Sequence, residues 1–232
     1  MKNFTLFLFV ALTIASCSRN KYLTADYDKF ANQHSVIAVL PYDIQLTGRK
    51  LAEMGENEIL EIREREGKQF QQSLYSEVLI RTGRRDKDIN ISVQDINKTN
   101  RLLKDSGIAL TDIAEHSPKE IGQLLGVDAI ISTRLMKEMF LSREEAVLVD
   151  MAADVAKDIL KDKAPLGVLF YPNSKLARSS EIDIYCTIVD TEAESAIWVY
   201  STDVDIQWNM EPDEVIERIN TRISRKFPYR KG

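Results

Sequence analysis

The side chains most able to do chemistry in this 232-residue chain are two cysteines and two histidines. A zinc or hydrolytic centre needs several such ligands at short, regular spacings. His34 and His116 each have no histidine or cysteine nearby in the sequence, so we predict no metal site and no cofactor. Cys186 lies in the alternating run IDIYCTIVD, where it shares a face with isoleucines. This pattern predicts a buried, unreactive thiol, with a nucleophilic cysteine as the alternative.

Acidic pairs are the other candidates for chemistry. They are Glu144 with Glu145, Asp183 with Asp190, and Asp203 with Asp205. Asp203 and Asp205 share the face of a predicted strand opposite its tryptophans, so we expect both to meet water, with a calcium or acid–base site as the alternative. The glycines form no phosphate-binding loop, and no serine stands in a nucleophile elbow. The sequence therefore predicts a protein that is not an enzyme.

Cys17 ends an apolar run, LFLFVALTIASC, that follows the positive charge of Lys2. The run has about ten to twelve residues, whereas a helix that crosses a bilayer needs about 20. A charged start, an apolar middle and a small-residue end are typical of a secretory signal peptide. Ile14-Ala15-Ser16-Cys17 resembles the lipobox of bacterial lipoproteins, which implies cleavage before Cys17 and acylation of its sulfur and amine. An ordinary signal peptide with a chance cysteine, or a short core strand, are the alternatives.

The composition, with 44% hydrophobic and 29% charged residues, is typical of a folded globular protein. The net charge of −5 becomes about −6 without the leader, so no general attraction to nucleic acid or to anionic lipid is expected. Membrane attachment would depend on the acyl chains, of which two or three anchor a protein stably. With Cys17 acylated, Cys186 has no partner in the chain and no disulfide is expected.

The sequence patterns divide the chain into three parts. Residues 1–16 are the predicted leader, which is removed. Residues 17–34 are the acylated Cys17 and a polar tether that shows no sustained period. Residues 35–232 are predicted to form one domain of the α/β (α+β) class, with a single mixed sheet and helices packed on it.

Residue periodicity and capping signals predict ten elements in this domain, in the order β, α, β, α, α, β, α, β, β, α. The predicted strands are residues 36–40, 89–96, 128–140, 181–190 and 196–208, the last two forming a hairpin. The predicted helices are residues 56–82, 98–108, 118–125, 142–162 and 212–227. Asn97 is expected to cap the second helix and Ser117 the third. Trp198 is expected to be a large buried anchor of the hairpin.

Three segments, in this order, resemble a family of periplasm-facing bacterial lipoprotein domains that includes CsgG, LpoB and the amino-terminal domain of TolB. The segments are VIAVLPYD, LGVDAIISTRL and IYCTIVDTEAESAIWVYSTDVDI. Three residues of these segments are expected to have structural roles. Gly126 suits the left-handed conformation after a helix, Asp128 can hold a turn before a strand, and Asp190 can fold back onto turn amides.

The resemblance implies a lipid-anchored module that binds a protein partner in the envelope, as a secretion accessory or as a regulator of a cell-wall complex, and that could also form a homo-oligomer. Channel-forming members need amphipathic hairpins that close a barrel. Residues 141–178 are instead predicted as a helix and a proline-broken loop, which argues against a pore. Ser18, rather than an acidic residue, follows Cys17, and this favours the outer membrane, with the domain facing the periplasm. An envelope hydrolase whose site is assembled from dispersed residues remains the alternative.

Overall fold

The computed structural model describes residues 20–82, 91–139, 178–207 and 210–229. Within these ranges the chain forms seven strands, five α-helices and two 3-10 helices. The strands are β1 (Lys21–Leu23), β2 (Val36–Val39), β3 (Asp43–Thr47), β4 (Ser92–Val93), β5 (Ala129–Met139), β6 (Arg178–Asp190) and β7 (Ser195–Gln207). The α-helices are α1 (Tyr27–Ala31), α2 (Glu56–Thr82), α3 (Ile96–Asp105), α4 (Pro118–Leu125) and α5 (Pro212–Lys226). The 3-10 helices are Arg49–Glu53 and Ile113–Glu115.

All seven strands belong to one mixed sheet, which confirms the predicted fold class. The strand order is β1-β7-β6-β5-β2-β4, and β3 also pairs with β5. The neighbours β5, β6 and β7 are antiparallel, as is the β1–β7 pair, whereas β2 and β3 both run parallel to β5. β2 pairs with the first residues of β5, and β3 pairs with its second half, from Arg134 onwards.

Helices cover both faces of the sheet, and β2 shows why. Ile37, Ala38 and Val39 are all fully buried, as expected for a strand whose run is apolar on both faces. Ile37 and Val39 pack into a large core with side chains of α2 and α5. Ala38 points the other way, into a smaller core formed with α3 and α4.

Local sequence signals located several elements correctly. The helices at residues 56–82 and 118–125 are confirmed at both ends. Ser117 caps α4 by accepting a hydrogen bond from the Glu120 amide at 3.2 Å, and Gly126 follows with φ of 67°. The β6–β7 hairpin is confirmed, and Trp198 within it is fully buried.

The predicted tether is wrong for residues 20–34. Lys21–Leu23 adds to the sheet beside β7, and Tyr27 of α1 is buried in the larger core. Strand β1 has only three residues, which is too short to show a period, and its order comes from pairing with a strand far along the chain. The folded domain therefore begins at or before residue 20 rather than at residue 35.

Two smaller predictions also need correction. Asp95, and not Asn97, caps α3, because its carboxylate accepts hydrogen bonds from the amides of Asn97 and Lys98 at 2.9 and 3.1 Å. The strand expected at 89–96 is reduced to Ser92–Val93, and β3 was not predicted at all.

One predicted segment lies outside the described residues. It comprises the helix at 142–162, which includes Glu144 and Glu145, and most of the loop after it.

Candidate functional site

Three chain segments meet at one end of the sheet. Because β5 and β6 are antiparallel, Ala129 at the start of β5 stands opposite Asp190 at the end of β6. β2 is parallel to β5, so its first residue lies at the same end. The LGVD and DT motifs of the sequence are therefore brought together with the chain that enters β2.

Asp128 joins these segments through both its side chain and its backbone. Its carboxylate accepts hydrogen bonds from the amides of Ser35 and Val36 at 2.7 and 2.9 Å. Its carbonyl accepts from the Thr191 amide at 3.0 Å and from the Thr191 hydroxyl at 2.9 Å. The side chain thus fixes the entry to β2, and the backbone fixes the β6–β7 turn.

His34 is the centre of a buried polar cluster at this end. Its Nε2 lies 2.8 Å from a carboxylate oxygen of Asp190, and its Nδ1 lies 2.5 Å from the hydroxyl of Tyr229. His34 and Asp190 are each 6% exposed, and Tyr229 is 7% exposed. The second Asp190 oxygen accepts from the Ala193 amide at 2.6 Å, which confirms the predicted fold-back onto the turn.

The roles of donor and acceptor follow from this geometry. Burial, together with the nearby Tyr27 and Asp190, raises the pKa of Tyr229 well above its ordinary value, so its phenol keeps its proton. A carboxylate only accepts, so Nε2 of His34 donates to Asp190, and the Tyr229 hydroxyl, which keeps its proton, can donate to Nδ1 of His34.

Aromatic rings extend the cluster into the core. The ring of Tyr229 lies 6.0 Å from that of Tyr27 and 5.5 Å from that of Phe227, measured between centroids. Phe227 in turn meets Trp198 edge-on at 6.1 Å. Since Tyr27 precedes β2 and Phe227 follows α5, these contacts hold the first and last described segments of the chain together on the sheet.

An open depression of about 350 Å³ lies beside this cluster. Its lining residues are Gln33, His34, Lys119, Gly122, Gln123, Gly126, Val127, Asp128, Asp190, Thr191 and Glu192. Lys119 and Glu192 form an ion pair at 2.8 Å, and this carboxylate raises the pKa of Lys119. The charged groups of the lining are thus largely paired with one another or with backbone amides.

This arrangement links segments that are far apart in the sequence, and its polar groups are bonded to one another. A general base needs a ring nitrogen or an oxygen within hydrogen-bond reach of a substrate. Both nitrogens of His34 and both oxygens of Asp190 already hold intramolecular hydrogen bonds. Across residues 20–82, 91–139, 178–207 and 210–229, no group of three or more His, Cys, Asp or Glu side chains could hold a metal ion.

The remaining candidates from the sequence lie apart from this cluster. Cys186 is fully buried, and burial raises its pKa to about 12, which confirms the prediction of a buried thiol and keeps it un-ionised at neutral pH. Asp203 is exposed as predicted, whereas the side chain of Asp205 lies outside the described part.

The second histidine, His116, lies at the surface, 3.1 Å from a carboxylate oxygen of Glu120. Cys17 also lies outside the described residues.

Gly122 gives a test of how closely this end of the molecule is packed. A Cβ on Gly122 would lie 2.3 Å from the Cβ of Thr191 and 2.7 Å from its hydroxyl. We expect Gly122→Ala to lower the free energy of unfolding by about 1 to 3 kcal/mol, because α4 or the β6–β7 turn must move. Urea denaturation measures this loss.

The neighbouring Gln123 supplies the control, since its side chain is exposed on the same helix. Gln123→Ala should change stability by no more than about 0.5 kcal/mol. Combining Gly122→Ala with Thr191→Gly should cost less than the sum of the two single changes, because the clash is relieved. Strict additivity would contradict the close approach.

None of the helices described is both long enough and apolar enough to cross a membrane. No protein-family model and no curated protein matches the chain.

Among solved structures, the chain is similar to the lipoprotein GNA1162 from Neisseria meningitidis, with 10% identity, coverage of 83% of this chain and 95% of that chain, and a TM-score of 0.41. It is also similar to the LpoB C-terminal domain from Salmonella enterica, with 10% identity, coverage of 78% and 93%, and a TM-score of 0.37. A PelC dodecamer from Paraburkholderia phytofirmans gives 6% identity, coverage of 82% and 86%, and a TM-score of 0.37. At these values the likeness establishes neither a shared family nor a shared activity.

Proposed function

We propose that this chain is a lipid-anchored, periplasm-facing module of a bacterial envelope that works by binding a protein partner and not by catalysis. Cys17 would carry the acyl chains, and the domain would act at the inner face of the outer membrane, on complexes assembled there. One observation carries the proposal: the polar groups that converge beside the depression are already bonded to one another.

The position of the polar cluster supports a structural role. Asp190 and Tyr229 are 156 and 195 residues from His34 along the chain, so these bonds connect distant segments. A polar group that links distant segments and is less than a tenth exposed is expected to stabilise the fold. The hydrolase alternative would require His34 to give up one of these bonds, and no contact in the described residues favours that exchange.

The exposed surface supports a binding role. Large apolar side chains that are more than a third exposed occur on α2, on β1 and on β6; they are Tyr22, Leu23, Leu60, Leu79, Ile80 and Tyr185. Single exposed apolar residues are ordinary, but three of these residues, Leu60, Leu79 and Ile80, lie on the one long helix α2. They give a protein partner a place to bury apolar area. A secretion accessory, a regulator of a cell-wall complex and a homo-oligomer would each use such a surface.

The proposed anchor has a direct test. Cells that express the chain and are fed a labelled fatty acid should yield labelled wild-type protein and unlabelled Cys17→Ala protein, because Cys17 is the acyl acceptor in the lipobox-like motif. Cys186→Ala is the matched control, since it removes the other cysteine, which is buried in the core. Its label should equal that of the wild type. Label retained by Cys17→Ala would contradict the lipid anchor.

A further inference from the structure

Strand β1 exposes apolar side chains at one edge of the described sheet. Tyr22 is 55% exposed and Leu23 is 42% exposed, and Lys21 is exposed as well. Leu23 pairs with Trp198 of β7, and Tyr22 pairs with Val199. Because side chains alternate along a strand, Tyr22 and Leu23 project from opposite faces of this edge.

The backbone of this edge is nevertheless fixed to the sheet. The Ser201 amide donates to the Asn20 carbonyl at 2.9 Å, and the Thr24 amide donates to the Ile197 carbonyl at 3.1 Å. Hydrogen bonds to β7 just before and just after β1 hold the strand, although none of its three side chains is buried. The apolar exposure is therefore a fixed property of the folded domain.

The distance between strand β1 and the proposed anchor, Cys17, is short. Four residue steps separate Cys17 from Lys21, and an extended chain spans at most about 3.6 Å per residue, which gives about 14 Å between their Cα atoms. The headgroup region of one leaflet is about 5 to 7 Å thick. A Cys17 whose acyl chains enter the bilayer therefore keeps β1 close to the membrane surface.

We infer that the β1 edge lies against the lipid headgroups of the membrane that holds Cys17, with Tyr22 and Leu23 as the contacting side chains. The inference rests on the proposed acylation of Cys17. Tyrosine is enriched at the membrane–water interface, because its ring is apolar and its hydroxyl is polar. The exposed Asp26 and Asp28 follow close after the cation of Lys21, so the contact depends on apolar burial and does not need anionic lipid.

This contact orients the domain. Five strand spacings of about 4.8 Å separate β1 from β4 in the sheet order, so the β4 edge lies about 24 Å farther from the membrane. The β2–β4 side of the sheet then faces away from the lipid, where a protein partner can reach it.

The test uses the full-length acylated protein, purified from membranes and placed in vesicles of phosphatidylethanolamine and phosphatidylglycerol. An environment-sensitive fluorophore is attached to Tyr22→Cys and, as a control at the opposite edge, to Ser92→Cys. Ser92 is exposed on β4, and the native Cys186 is fully buried, so the label reaches the introduced thiol. A spin-labelled lipid then serves as the quencher.

We expect quenching at position 22 to exceed quenching at position 92 several-fold, with a blue-shifted emission only at position 22. Equal quenching at both positions, with the protein still floating with the vesicles, would overturn the orientation and leave the Cys17 anchor intact. A protein that does not float with the vesicles would overturn the anchor and the orientation together.

Discussion

Trp198→Ala is expected to lower the free energy of unfolding by about 3 to 5 kcal/mol. Trp198 is fully buried in the larger core, between the stacked ring of Tyr200 and the edge of Phe227, each 6.1 Å away between centroids. Truncation to alanine removes the ring and leaves a cavity that the surrounding strands can fill only in part. Urea denaturation of the purified wild-type and variant proteins measures the loss.

Two further variants sharpen this prediction. The Trp198 indole nitrogen is buried without a hydrogen-bond partner among the described residues, so Trp198→Phe loses ring volume but no hydrogen bond and should cost less than Trp198→Ala. Tyr185 is 45% exposed on the neighbouring strand, and Tyr185→Ala should change stability by about 0.5 kcal/mol or less. Unchanged stability in Trp198→Ala would contradict its place in the core.

Asp190→Ala is expected to cost about 2 to 4 kcal/mol, because it removes the acceptor of a buried donor on His34 and a hydrogen bond that holds the β6–β7 turn. The change leaves Nε2 of His34 without its acceptor at 2.8 Å and the Ala193 amide without its acceptor at 2.6 Å. The loss at Nε2 is the larger one, because the His34 ring is buried and water does not solvate it, whereas Ala193 is exposed. Thermal and urea unfolding should both show the loss.

Tyr229→Phe and Asp203→Ala are the graded controls for this cluster. Tyr229→Phe removes only the bond to Nδ1 of His34, so its cost should be about 1 to 3 kcal/mol. Asp203 is an exposed aspartate of the same hairpin, and its replacement by alanine should be nearly neutral. An Asp190→Ala protein of wild-type stability that has lost a function in cells would instead indicate that His34 and Asp190 act in catalysis.

The parts of the fold that the sequence predicted correctly are those determined by neighbours in the chain. Ser117 and Gly126 delimit α4 because a cap and a left-handed residue act within one helical turn. The β6–β7 hairpin was predicted because two alternating runs are separated by a short polar segment. Asp190 folds back onto the Ala193 amide for the same reason, since three residues separate the two groups.

The parts that the sequence did not predict depend on distant contacts. β1 and α1 have three and five residues, and their order comes from β7 and from the core around Tyr229. The sequence pattern assigns His34 to a tether, because the segment around it is mostly polar and shows no sustained period. Its partners are 156 and 195 residues away, and no spacing rule links such positions. One local sign was present: aromatic residues recur between positions 20 and 34 in a segment that was otherwise polar.

The most direct test of the central claim, that this chain is a membrane-anchored binding module, is crosslinking in intact cells. A photoreactive amino acid is placed at exposed positions such as Leu60 and Ile80, in the wild-type chain and in Cys17→Ala. We predict a discrete adduct with one envelope protein, or with a second copy of the chain, that forms with the acylated protein and is lost with Cys17→Ala. An acylated protein that yields no adduct from any exposed position would contradict the claim.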